Sequence, residues 1–352
     1  MKPDFHQLMQ NATRLVGSGD LLAATAAIQA ALNGTPLAAE PDHATQHTTD
    51  DLVIDVEART PQQARTTQEA RPPQDHFIAG QFGNGRMQRA YKLYVPPQAG
   101  ERPLPLVVML HGCTQNPDDF AAGTRMNDAA RAEGCFVLYP AQSTQANPQG
   151  CWNWFKHSHQ QRERGVPALI AAMAHEVMAK HAIDPARVYV AGLSAGGAMA
   201  AILGTTYPEL FAAVGVHSGL AAGAASDLPS ALAAMRSGGN GQATSASPPT
   251  IVFHGDADTT VHPANGQQVV SASTPAGARE ESERHKSPAG RGYTRHVHRS
   301  TSDQVVAERW VVHGSPHAWS GGSPKGSYTD PAGPDATQEM LRFFREHPRT
   351  AA

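Results

Sequence analysis

The chain has 352 residues, with 28 Lys and Arg against 31 Asp and Glu, for a net charge of -3. That length carries one large domain plus an appendage, and a near-neutral balance without a basic stripe excludes a nucleic-acid footprint. Charged residues are only 17% while Gly (32) and Pro (27) are numerous, which favours a loop-rich enzyme over a helical bundle. No apolar run approaches the ~20 residues that a membrane span needs.

In chain order, residues 5–33 read as two short helices broken at Gly17-Ser18-Gly19, with Leu8, Ala12, Leu15 and Val16 at helical spacing in the first. Residues 1–34 form an N-terminal helical segment on this reading. Residues 35–75 are rich in Thr, Gln, Pro, Asp and Glu, too polar to bury a core, and read as a disordered linker. The start lacks a basic stretch followed by an apolar one, so no secretory signal is expected and the compartment reads as cytoplasmic. A catalytic domain is expected over 76–348. Its expected strands are Arg89–Val95, Leu106–Leu110, Cys135–Tyr139, Val188–Ala191, Ala213–His217, Ile251–His254 and Val305–Val312. Between them, helices are expected at 118–133, 166–180, 195–207 and 334–345, while 221–249 holds at most one short helix and 275–292 reads as a surface loop. Strands alternating with helices of this length imply a mostly parallel sheet with helices on both faces.

The chemistry concentrates at strand ends. Val188–Ala191 runs straight into Gly192-Leu193-Ser194-Ala195-Gly196, and a helical pattern follows at once. A G-x-S-x-G between strand and helix is the nucleophile elbow of an α/β-hydrolase fold, with Ser194 lifted clear of the sheet. A serine hydroxyl needs a general base, and the base needs an orienting acid. In this fold the acid and then the histidine follow the serine. His317 lies in a Gly/Ser/Pro loop after the last strand, and is preferred among 18 histidines; His313, its competitor, continues the strand and is expected to pack sideways. Asp256 and Asp258 both follow the strand Ile251–His254; Asp258 is preferred, while Asp256 sits in a tight turn suited to satisfying backbone N–H groups. His254, Asp256, Asp258 and His262 lack metal-ligand logic beyond proximity. No metal or other cofactor is expected. The loop His111-Gly112-Cys113-Thr114-Gln115 is placed to supply one oxyanion N–H from Cys113, and Ala195 the other.

Taken together, HGCTQ at 111–115, CWNWF at 151–155, GLSAGGAMA at 192–200, HGDADTTV at 254–261 and GSPHAWSGG at 314–322 resemble, in that order, the poly(3-hydroxybutyrate) depolymerase family of esterases. That family is related to feruloyl and acetylxylan esterases. The resemblance covers roughly 77–346 and implies Ser194, Asp258 and His317 as the triad. It implies short 3-hydroxyacyl polyesters or their oligomers as substrates, with feruloyl or acetyl esters of plant polysaccharide as the alternative. Many relatives have Pro where this chain has Ser320, and many are secreted. The resemblance also implies a Cys113–Cys151 disulfide beside the active site; two free thiols is the competing reading, since three cysteines are too few for a disulfide scaffold. Trp152, Trp154 and Trp319 are candidates for an apolar pocket wall, against ordinary packing, in a chain only 6% aromatic. A serine peptidase does not fit this length without a propeller or large cap. A non-catalytic granule- or partner-binding protein, associating through residues 1–34, is the reading from another class. Oligomeric state has no signature in the sequence.

Overall fold

The computed structural model describes residues 76–83, 88–239 and 247–350. The chain divides at Pro72/Pro73 into two units, and every described residue belongs to the second. The expectations for residues 1–34 and 35–75 lie outside the described residues.

Three strands open the domain: β1 (His76–Phe82), β2 (Arg89–Val95) and β3 (Leu104–Leu110). Helices α1 (Pro117–Thr124) and α2 (Met126–Glu133) lead to β4 (Phe136–Pro140), and α3 (Gly165–Lys180) leads to β5 (Ile183–Leu193). Next come α4 (Ala195–Thr206), β6 (Ala213–His217), α5 (Leu228–Ser237), β7 (Thr250–Gly255) and α6 (Ala264–Ser273). The rest is β8 (Arg279–Lys286), β9 (Gly292–Arg299), β10 (Val305–Val312), β11 (Trp319–Ser320), β12 (Thr329–Asp330) and α7 (Ala336–Glu346).

The main sheet runs β1-β2-β4-β3-β5-β6-β7-β10-β9-β8. Its six central strands, β4 through β10, pair in parallel, and an antiparallel pair flanks them on each side. Alternate residues of β3 feed opposite faces, as the two-residue period of a strand requires. Leu106, Val108 and Leu110 pack with Met173 and Val177 of α3, Met199 and Leu203 of α4 and Val270 of α6. Val107 and Met109 pack with Phe120 of α1, Met126 of α2, and Met340 and Phe344 of α7. This is the three-layer α/β-hydrolase arrangement. From β3 the chain steps to β4 on one side and to β5 on the other, so the order reverses there. Open α/β sheets bind ligands outside the carboxyl ends of the strands at such a point.

Two expectations about elements change. The helix expected over 118–133 is two helices, because Arg125 sits in the left-handed region (φ 54°, ψ 26°) between them. Its N–H closes α1 on the Ala121 carbonyl at 3.0 Å, and its guanidinium reaches Asp335 Oδ2 (2.9 Å) and the Gly321 carbonyl (3.0 Å). A long-range anchor therefore overrides a helical pattern. The stretch 275–292, expected as a loop, carries the edge strand β8, paired residue for residue with β9. All eight of its residues are exposed and none is apolar, so alternation gives no strand signal. A charged edge of this kind discourages pairing with another sheet.

Candidate active site

The elbow is built by close approach. A Cβ added to Gly196 would land on the Leu110 carbonyl oxygen, and one added to Gly192 on the Gly196 carbonyl. Only glycines let β3, β5 and α4 meet this closely. Between them Ser194 takes φ 58°, ψ -119°, a conformation side-chain-bearing residues rarely adopt. Its N–H donates to the His217 carbonyl (2.8 Å), and its own carbonyl accepts from Ala198 N (2.9 Å). Ser194 is 8% exposed. The N-terminus of α4 thus begins directly behind it, where helix N–H groups favour developing negative charge.

The structure brings Asp258 and His317 together. Asp258 Oδ2 accepts from His317 Nδ1 at 2.7 Å, and lies 3.4 Å from His254 Nε2. Asp258 Oδ1 accepts from the N–H groups of Thr260 and Val261, both at 2.9 Å. Burial pushes this carboxyl up, but the hydrogen bonds from His254 and His317 outweigh burial and hold it well below the usual carboxylate range. With Nδ1–H committed to Asp258, His317 presents Nε2 as its basic nitrogen. Among the described residues neither that Nε2 nor Ser194 Oγ has a hydrogen-bond partner, and the two are not bonded to each other. Hydrogen bonds of this type are often long without substrate and tighten when it binds.

A second acid–base pair lies beside the first. His313 Nδ1 meets Asp256 Oδ2 at 2.8 Å, and Asp256 Oδ1 accepts from Gly314 N at 2.6 Å. The tight-turn role expected for Asp256 is therefore present, together with a histidine partner that sequence did not suggest. His313 Nε2 is 2.9 Å from Thr294 Oγ1. Among the described residues no three His, Cys, Asp or Glu side chains converge on a common metal position.

In the loop after β3, Gly112 N donates to Gln115 Oε1 (2.9 Å), Thr114 N to the Gln149 carbonyl (2.8 Å) and Gln115 N to the Gly112 carbonyl (3.4 Å). Cys113 N has no acceptor among the described residues, and the same holds for Ala195 N. These are the two N–H groups expected to face an oxyanion. The loop is tied to 142–152 several times over. Cys113 and Cys151 form a disulfide, the Trp152 indole donates to the His111 carbonyl (2.9 Å), and His111 Nε2 accepts from Gln142 N (3.2 Å). Burial lowers the His111 pKa, which keeps Nε2 neutral and able to accept.

The three tryptophans pack rather than present a face. Trp152, Trp154 and Trp319 are 0%, 5% and 1% exposed. Trp319 donates to Thr337 Oγ1 (3.0 Å), stands edge-on to Phe120 and stacks on His217. Trp154 meets Phe155 edge to face. An apolar wall made of these indoles needs exposed ring surface that all three spend on the core.

His217 is a site residue that sequence reasoning missed, although its position at the end of β6 is a usable signal. Its carbonyl holds Ser194 N, its Nε2 accepts from Ser320 N (2.9 Å), and Nδ1 faces Ser218 Oγ (3.2 Å). One buried residue, through its backbone carbonyl and its ring, thus joins the elbow to the segment that carries His317. Complete burial lowers its pKa well below the histidine range, so the ring is neutral, as the bond from Ser320 N requires. Ser320 uses an N–H that a Pro at this position would lack. Its hydroxyl donates to the Pro334 carbonyl (2.7 Å).

The strained elbow, the acid–histidine pair and the donor loop all lie at strand ends, and the comparisons with known proteins place the chain among esterases. Residues 89–275, more than half of the chain, match the family model described as Esterase PHB depolymerase, and the chain belongs to that family. It is 30% identical over 227 residues to poly(3-hydroxyalkanoate) depolymerase C of Paucimonas lemoignei, covering 60% of this chain and 54% of that one. It is 36% identical over 141 residues to feruloyl esterase B of Neurospora crassa, covering 39% and 47%. The chain thus spans about half the length of these curated relatives. In fold it is similar to the acetyl xylan esterase from Aspergillus awamori, with a TM-score of 0.58 at 20% identity, covering 76% of this chain and 99% of that one. Among the described residues no helix is long and apolar enough to cross a membrane.

Proposed function

We propose that this chain is a carboxylester hydrolase that works through an acyl-enzyme on Ser194. Ser194 Oγ adds to the ester carbonyl while His317 Nε2 takes its proton. The N–H groups of Cys113 and Ala195 receive the negative charge on the carbonyl oxygen. The intermediate collapses, the C–O bond to the alcohol breaks, and His317 returns the proton to the departing oxygen. Water, deprotonated by His317, then attacks the acyl-enzyme and releases the acid and Ser194. Asp258 holds Nδ1–H and stabilises the imidazolium formed in both steps. No cofactor takes part in this scheme.

The observation that carries the reading is the half-buried Asp258–His317 bond at 2.7 Å, formed at strand ends in the same chain as the strained Ser194. The substrate class proposed is short 3-hydroxyacyl polyesters or their oligomers, supported by the family and by the similarity to the Paucimonas depolymerase. Feruloyl or acetyl esters of plant polysaccharide are the second reading, which the similarity to feruloyl esterase B favours. Ser194→Ala is expected to remove nearly all hydrolysis of p-nitrophenyl butyrate, and full activity in that variant would refute the nucleophile. Acid release from amorphous poly(3-hydroxybutyrate), measured beside ferulate release from methyl ferulate, separates the two substrate readings.

A further inference from the structure

Among the described residues only two large hydrophobic side chains are exposed, Ile78 (46%) and Tyr328 (45%). Ile78 lies on β1, at the far edge of the sheet from β8. Tyr328 stands at the candidate active site, with its ring edge-to-face against His317 at 6.5 Å between centroids. Its hydroxyl is 3.1 Å from Thr114 Oγ1. Thr114 Oγ1 donates in turn to the Cys113 carbonyl (2.6 Å), so Tyr328 is the donor in the pair. One exposed ring therefore bridges the histidine loop and the loop expected to bind the oxyanion.

The ring is held there against local preference. Tyr328 has φ 52° and Thr114 φ 64°, both in the left-handed region that non-glycine residues avoid. Such conformations persist only where the surroundings over-determine them. Here Ser327 N and Oγ donate to the two carboxylate oxygens of Asp119 (2.9 and 2.6 Å), and Gln115 Nε2 donates to the Ser327 carbonyl (3.2 Å). The Tyr328 carbonyl accepts from Trp319 N (2.7 Å), continuing into the β11–β12 pair. Gln115 also caps Gly112 N, so the network that fixes Tyr328 also fixes the loop of Cys113. An apolar ring held rigidly in solvent beside the general base has surface to bury only when a substrate arrives.

We propose that Tyr328 is the specificity-determining wall for the alcohol side of the ester, a role that rests on the Ser194–His317–Asp258 reading. The side follows from the chemistry. His317 must reach the departing alcohol oxygen to protonate it, so the ring that flanks His317 borders the group attached to that oxygen. In a polyester that group is the continuing chain, and in a simple ester it is the alkyl or aryl alcohol. The hydroxyl has a separate duty: through Thr114 it steadies the Cys113 carbonyl, and with it the peptide plane of the oxyanion loop.

The test compares two substrate series on the full chain. One varies the alcohol (ethyl, butyl and hexyl butyrate), and the other varies the acid (p-nitrophenyl acetate, butyrate and octanoate). In the wild type kcat/KM is expected to rise with alcohol length. In Tyr328→Ala that slope flattens, with a loss of about tenfold or more on hexyl butyrate, the scale on which apolar contacts discriminate. Ethyl butyrate loses only the uniform kcat factor that removal of the hydroxyl brings, and the additional loss on hexyl butyrate falls mainly in KM. Tyr328→Phe keeps the slope, because the ring remains, and lowers kcat to a similar degree for every ester. A slope retained in Tyr328→Ala, or a loss that follows acyl length instead, overturns the proposal. Tyr328→Leu, expected to recover part of the slope, guards against a merely unfolded Ala variant; a Leu variant with no recovery and a normal melting curve also counts against the wall. Ratios within an active enzyme are read here, so these outcomes stand apart from any failure of Ser194→Ala.

Discussion

Asp256–His313 and Asp258–His317 leave the ends of β7 and β10 only residues apart, and both bond Nδ1 to a carboxylate at close range, 2.8 and 2.7 Å. Their surroundings differ. The side chains of Asp256 and His313 are 42% and 39% exposed, whereas those of Asp258 and His317 are 0% and 11% exposed. In the first pair the histidine's other nitrogen is engaged by Thr294 Oγ1; in the second it is open among the described residues. Water screens an exposed ion pair, and measured contributions of such pairs fall at about 0–1 kcal/mol. A buried one acts in a low dielectric, where an oriented carboxylate strongly favours an imidazolium. A dyad's capacity for proton transfer therefore comes from burial plus a free nitrogen, and not from the Asp–His bond itself. The Asp256 pair instead closes the turn at Gly314 that starts the His317 loop.

The sharpest way to break this comparison is to neutralise each carboxylate in turn. Asp258→Asn is expected to lower kcat by about 10⁴-fold with the fold intact, the scale seen when a triad acid no longer fixes the histidine tautomer. Asp256→Asn is expected to change kcat by no more than a few-fold and to cost at most about 1 kcal/mol of stability, as for other exposed pairs. Equal kinetic losses in the two variants, read from p-nitrophenyl butyrate hydrolysis, would erase the distinction.

A smaller effect lies in pH. Asp258 has its carboxyl depressed in the fold, so its stabilising contribution is present above the ordinary carboxylate value of about 4 and is lost only as pH falls through the lower folded value. His217 acts in the same direction at higher pH: its folded pKa is depressed, so below about 6.5 the unfolded chain gains a proton that the buried ring refuses. Melting temperature is therefore expected to decline from pH 7 to 5 through His217, with buried His111 adding in the same direction. The destabilisation caused by Asp258→Asn stays constant over that range. A His217→Gln variant should show the shallower decline, and an unchanged slope there would contradict the assignment.

Much of the fold was legible because parallel strands buried on both faces are short apolar runs, as LVVML at 106–110 and TIVF at 250–253 are. The edge strand β8 was not legible, since eight exposed polar residues pair through backbone alone. Ser194, Asp258 and His317 stood out because each follows a strand end in the order the fold uses, and the structure joins the latter two directly. The tryptophans misled: residue type suggested a pocket wall, while burial depends on neighbours such as Phe120, His217 and Thr337 that lie far away in sequence. Tyr328 had no local signal. Its place is set by Asp119 and Gln115, more than two hundred residues earlier.

The central claim is that Ser194 is the nucleophile and that the more enclosed His317, not His313, activates it. Reaction of the full chain with diethyl p-nitrophenyl phosphate, followed by peptide mass spectrometry, tests it most directly. A single diethylphosphoryl adduct on Ser194 is predicted, formed as fast in His313→Gln as in wild type and nearly abolished in His317→Gln. An adduct on another residue, or one whose rate depends on His313 instead, would contradict the account.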